Sequence, residues 1–146
     1  MSKMLSKVGI ALIAGLAVFG SNVIAPAAEA ATYPRLSGKW TAVLSGNTSC
    51  GATSMYVTFS LNSLGTGPAT LTSHSTGCPN GTSAETMTIF SLDGTGQGTA
   101  GLTCGASCGF SLRFQVSSDF NQMIITDVDA GNPNNTPTGA AIRQFP

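Results

Sequence analysis

Four cysteines, one histidine and two closely spaced aspartates are the residues here whose chemistry could exceed solvation. Cys104 and Cys108 lie in CGASCGF, three residues apart, while Cys50 and Cys78 stand alone. Such a set can clasp a metal, cycle in redox chemistry or staple the fold. Structural zinc needs closely paired cysteines at both ends of the set, and Cys50 and Cys78 lack that spacing. On one unbroken strand Cys104 and Cys108 would lie about 13 Å apart, beyond the roughly 7 Å a disulfide spans. If Gly105-Ala106-Ser107 turns the chain, they face each other at about 4.5–5.5 Å. An even number of cysteines in an exported chain reads as a disulfide framework. The expected pairs are Cys104–Cys108 and Cys50–Cys78, contributing about 2 and 3.5 kcal/mol in the chain-entropy picture.

Acid–base catalysis needs titratable groups that converge, and the chain is poor in them. His74 sits in a plain Ser/Thr run, TLTSHSTG, and no Gly-x-Ser-x-Gly elbow is present. Asp127 and Asp129 open a long Asn/Pro/Gly segment, DVDAGNPNNTPTG. With Asn132, Asn134 and Asn135 they form a candidate binding loop, since binding residues concentrate on such loops. The segment lacks the ligand spacing and terminal Glu of an EF-hand, so no metal and no cofactor is expected. No catalytic residue is assigned and the chain reads as a non-enzyme.

Strands must position these residues. In MYVTFSL, Met55, Val57, Phe59 and Leu61 alternate with polar neighbours; in FSLRFQV, Phe110, Leu112, Phe114 and Val116 do the same. Period-two alternation puts one side of a strand in a core and the other in water. Weaker versions cover 39–44, 69–74, 85–92, 99–104, 122–128 and 139–145, about eight strands in all. Asn80-Gly81 and Asp93-Gly94 are pairs that tolerate positive φ in tight hairpins, and Ser118–Asn121 forms another short link. Short links favour antiparallel neighbours. The expected fold is all-β: a small, disulfide-stapled, antiparallel up-and-down barrel, with a sandwich as the alternative.

The first thirty residues read as an export signal. Lys3 and Lys7 precede the apolar run Val8–Gly20, and Ala28-Glu29-Ala30 fits an A-x-A cleavage site. The run is about 13 residues, short of the ~20 a spanning helix needs. The expected division is a signal peptide over 1–30 and one domain over 31–146, exported to a periplasmic or extracellular space with no membrane span after cleavage. Six basic and six acidic residues cancel. Four scattered cations after the leader supply little phosphate neutralisation, which argues against nucleic acid as a partner.

The stretch RLSGKWTAVLSGNTSC, and within it Leu36-Ser37-Gly38-Lys39-Trp40, resembles the first strand of calycin-type barrels, the lipocalins and avidins. It is also similar to the opening of small periplasmic inhibitors of bacterial metalloproteases. That resemblance implies a barrel whose closed end is plugged by Trp40, with Gly38 letting the backbone pass closely. It further implies that an arginine late in the chain, here Arg143, covers the tryptophan. No counterpart of CGASCG belongs to those inhibitors, and no later lipocalin or avidin motif follows.

Two functional classes fit these residues. One is an exported binding protein that carries a small apolar ligand or acts on a secreted protease as an inhibitor. The other is a structural or surface-interaction protein of an envelope or matrix. The interior discriminates between carrier and the rest: a cavity of about 300 Å³ or more suits a carrier, whereas a core filled by Trp40, Phe59, Phe110, Leu112 and Phe114 does not.

Overall fold

The computed structural model describes residues 32–104, 109–128 and 134–145; the expected leader lies outside them. A short 3-10 turn, Pro34–Leu36, leads into eight strands: β1 (Gly38–Thr48), β2 (Gly51–Leu61), β3 (Thr66–Ser75), β4 (Gly81–Leu92), β5 (Gln97–Thr103), β6 (Gly109–Val116), β7 (Gln122–Asp127) and β8 (Thr138–Gln144). Every strand pairs antiparallel with its sequence neighbour, and β8 returns to β1. The sheet is therefore a closed up-and-down barrel, not a sandwich, and closure removes the edges that would otherwise recruit other chains.

Alternation sets the inside. Met55, Val57, Phe59 and Leu61 of β2 are buried, as are Leu112, Phe114 and Val116 of β6 and Met123 and Ile125 of β7. An eight-stranded barrel is just wide enough for side chains to fill, and filling requires small residues opposite large ones. Ala42, Ala69, Ala100 and Ala141 serve that purpose beside Trp40, Phe59 and Phe114. Gly98 is the limiting case: a Cβ there would stand 2.3 Å from the Phe114 ring and 2.3 Å from the Ser91 carbonyl oxygen. Among the described residues, interior voids of about 10 Å³ each lie between apolar side chains, one of them also lined by Asp127. That is at most the room of a single water.

One irregularity has a visible cause. The β4–β5 register slips between Ile89 and Ser91, so Phe90 is an extra residue in β4. Its carbonyl, displaced from the regular ladder, accepts the Tyr33 hydroxyl at 3.1 Å. Its ring lies outside the barrel against Gly101, where a Cβ would be 2.9 Å from the ring. The bulge thus ties the lead-in segment to the barrel and covers a glycine that has no side chain of its own.

The two ends of the barrel differ. At the base, three hairpins share one device: an i→i+3 backbone bond closes the turn on a left-handed residue. Gly65 bonds to Asn62 (3.0 Å), Gly96 to Asp93 (3.1 Å) and Phe120 to Ser117 (2.9 Å), at φ of 75°, 86° and 59°. Glycine suits the first two; Phe120 occupies the third under the Arg35 guanidinium, 3.7 Å from its ring centre. The expected hairpin pairs are corrected here. Gly81 opens β4, and in the Asp93-Gly94 turn the positive φ falls to Gly96. The Asp93 carboxylate accepts the Thr95 and Gln97 amides at 2.8 and 3.0 Å, which moves the left-handed position two residues on.

Candidate binding cleft at the barrel mouth

The connections β1–β2, β3–β4, β5–β6 and β7–β8 all leave from the end opposite the base, and the cysteines belong to this end. Cys50 in the first connection is bonded to Cys78 in the second, with Cα atoms 5.2 Å apart. Gly77 N–H donates to the Cys50 carbonyl at 2.8 Å and Ser75 Oγ to the Cys78 carbonyl at 3.2 Å, so backbone contacts reinforce the link. Cys104 is disulfide-bonded as well; Cys108, its expected partner, lies outside the described residues. The last described pair below it, Thr103 opposite Gly109, is the register that the expected hairpin requires.

A cleft of about 510 Å³ opens at this end beside the Cys50–Cys78 bridge. Met55, Leu71 and Phe110 form its apolar floor, continuous with the packed core, for Met55 and Phe110 also line the upper interior void. The Cys50–Cys78 bridge and Pro79 make one wall; Ser73, Ser75, Ser83 and Asn135 contribute polar groups. Among the described residues, Glu85 is the charged one in the lining. It stands inward on β4, two and four residues before Met87 and Ile89 on the same face, and is only 9% exposed. Ser83 Oγ donates to its Oε1 at 2.7 Å. Sequence reasoning passed over Glu85, although its place in the alternation E-x-M-x-I marked it as an acid at a core position.

The candidate loop is divided by the fold. Asp127 is the last residue of β7, 4% exposed, and faces the barrel interior beside Leu44, Met55 and Phe110. Asn135 stands on the rim, where its Oδ1 accepts the Ser49 amide at 3.1 Å. Thr136 N–H bonds to the Asn47 carbonyl at 2.8 Å, fastening this connection to the first hairpin. Asn134 is exposed, and Asp129 and Asn132 lie outside the described residues. Asp127 thus lines the upper interior void and Asn135 the rim, with Met55 and Phe110 common to the two spaces. Among the described residues, no three of His, Cys, Asp and Glu converge as a metal site would require.

His74 is exposed on the outer face of β3, directly opposite Ser54 of β2. Around this pair, the outward positions of β7, β8, β1, β2 and β3 form three ladder rows: Gln122–Ile142–Thr41–Thr58–Thr70, Ile124–Ala140–Val43–Tyr56–Thr72 and Thr126–Thr138–Ser45–Ser54–His74. None of the three rows holds a carboxylate that could orient His74 as a general base.

The base holds the remaining expected residues. Trp40 is 1% exposed, parallel to the Phe59 ring at 6.2 Å between centres, and its Nε1 donates to the Leu36 carbonyl at 2.9 Å. The Arg143 guanidinium lies 5.1 Å from the Trp40 ring centre. It donates from Nη2 to the carbonyls of Ser37 (2.9 Å) and Arg35, pinning the lead-in turn across the barrel bottom. Gly38 is needed for its backbone, at φ 127°, and not for close approach, since a Cβ would meet its nearest atom, Arg143 Nε, at an ordinary 3.8 Å. The acids with displaced pKa values also belong to the base. The Thr95 hydroxyl and Gln97 amide lower that of Asp93, and the Ser117 hydroxyl and Asn121 amide lower that of Asp119. They hold turns.

Comparison with family models, with curated proteins and with solved structures finds no match to this chain. Among the described residues no helix is long and apolar enough to cross a membrane.

Proposed function

We propose that this chain is an exported, non-enzymatic binding protein that meets its partner at the barrel mouth. The observation that carries this reading is the contrast between an interior whose voids hold about 10 Å³ and a disulfide-walled cleft of about 510 Å³ at the rim, beside which a second open cleft of about 580 Å³ lies on the outer wall around His74. A carrier of small apolar ligands needs the space within the walls, typically about 300 Å³ or more; here side chains occupy it. A rim held by disulfides presents a preorganised surface, and preorganisation reduces the entropy lost on binding. Disulfides also suit an oxidising compartment, which agrees with the leader-like first thirty residues and a periplasmic or extracellular address. Trp40, Arg143 and the lead-in turn supply the closed end that a calycin-like barrel has, and because its interior is filled the inhibitor-like reading, with a secreted protease as partner, is preferred to the carrier.

The test is direct. The chain from Ala31, assayed against a panel of secreted metalloproteases, is expected to slow at least one, and Ser83→Trp, which fills the cleft, is expected to abolish the effect. Inhibition untouched by Ser83→Trp, or no inhibition across the panel, would remove the reading.

A second reading, a surface-interaction protein, is favoured by the outer face. In its middle row Ile124, Val43 and Tyr56 are 63%, 58% and 50% exposed, and none of the three rows carries a Lys, Arg, Asp or Glu. Apolar patches of this kind mark contact surfaces.

A further inference from the structure

We infer that the mouth cleft receives a basic side chain, arginine or lysine, of a partner polypeptide, with Glu85 as its counter-charge. The inference rests on the mouth reading above and names the chemistry of the occupant. Glu85 is more than nine-tenths buried, and burying a carboxylate is costly unless it is paired. An ionised carboxylate offers about four acceptor positions; among the described residues the hydrogen bond to its side chain comes from Ser83 Oγ. The described cations stand elsewhere. Arg35, Lys39 and Arg143 belong to the base, and Arg113 points outward from the middle of β6 between Thr99 and Thr126. His74 is on the outer wall. The mouth thus holds an inward acid that no Lys or Arg among the described residues neutralises.

The rest of the cleft matches a long cationic side chain. Met55, Leu71 and Phe110 form an apolar floor of the kind that covers an aliphatic stem. The half-buried Phe110 ring adds a face for a guanidinium or ammonium. Ser73, Ser75 and Asn135 stand around the opening, where hydroxyl and amide groups can bond to the backbone that carries the side chain. A free small amine would use the carboxylate and the floor but leave those rim groups in water.

The experiment uses the oxidised chain and amide chemical-shift mapping. Acetyl-Ala-Arg-Ala-amide is expected to shift the amides of Ser73, Ser83 and Glu85 saturably. The citrulline peptide, isosteric and neutral, is expected to bind about tenfold or more weakly, as loss of a charge-assisted bond implies. Glu85→Gln is expected to lose the arginine preference while Trp40 emission, at the far end, stays unchanged. Butylguanidinium is expected to bind about tenfold more weakly than the peptide. Equal binding of the citrulline peptide, or no saturable shift at the mouth, would overturn the inference without using a variant. Butylguanidinium binding as tightly as the peptide would overturn the polypeptide assignment. Glu85→Gln that still inhibits a protease, where Ser83→Trp does not, would refute the basic side chain and leave the mouth reading intact.

Discussion

Replacing Arg143 should loosen the barrel base by an amount the structure lets one work out. Its guanidinium donates to the carbonyls of Arg35 and Ser37, and each bond from a charged donor contributes roughly 1.5–3 kcal/mol. The stack on Trp40, at 5.1 Å from a partly buried guanidinium, adds about 0.5–1 kcal/mol. Against these stands the Arg143 Nε–H, which is buried and finds no acceptor among the described residues; such an orphan donor costs roughly 1–3 kcal/mol. Arg143→Ala is therefore expected to destabilise by about 3 kcal/mol. Arg143→Lys keeps the charge and removes the orphan, but it loses the planar fork and one carbonyl, so about 1–2 kcal/mol is expected. Trp40 is the chain's only tryptophan, so urea unfolding followed by its emission reads the base without labelling. In Arg143→Ala the folded-state emission should also move to longer wavelength as the ring is uncovered. An Arg143→Ala midpoint equivalent to a loss below about 0.5 kcal/mol, with emission unshifted, would refute the reasoning.

Other outcomes follow from single contacts. Cys50→Ser with Cys78→Ser removes a link spanning 28 residues and should cost about 3.5 kcal/mol in equilibrium urea unfolding; a loss under about 1 kcal/mol would mean that the link does not constrain the unfolded chain. Gly98→Ala should cost about 2–3 kcal/mol, because the Ser91 carbonyl at 2.3 Å is backbone and cannot yield; an unchanged melting temperature would contradict that packing. In a carbon-detected titration Asp93 should ionise below its ordinary 3.8, with the Thr95 hydroxyl as the main cause, and Thr95→Ala should raise the midpoint. Because the folded pKa is the lower one, its small contribution is present above pH 3.8 and lost as pH falls through the folded value. A wild-type midpoint at the ordinary value would contradict the turn geometry.

The strands were legible because period-two alternation needs only one water-avoiding side per strand; MYVTFSL and FSLRFQV announce β2 and β6 directly. Closure was legible through link length, and the Cys50–Cys78 pair as the two cysteines left once Cys104 and Cys108 are set opposite each other across a hairpin. Turn detail was not. Asp93-Gly94 looks like a tight hairpin pair, yet the Asp93 side chain bonds the Thr95 and Gln97 amides and hands the left-handed position to Gly96. No local rule forecasts Phe120 in the same role, because Arg35, far away in sequence, covers its ring. Asp127 read as part of a loop, but its even spacing after Met123 and Ile125 places it inside the barrel. Glu85 was visible in the same way, as an acid in register with Met87 and Ile89. What sequence could not show is that Glu85 sits at the mouth, since that depends on which ends of the strands the closure brings together.

The central claim is that the barrel is filled and that binding belongs to its mouth. Titrating the isotopically labelled chain with decanoate, while following the amides of Val57, Ile89 and Leu112, tests it most directly. The account predicts no saturable shift at these core positions, because the voids beside them hold about 10 Å³. Saturable shifts at all three would show an aliphatic ligand inside the walls and would contradict it.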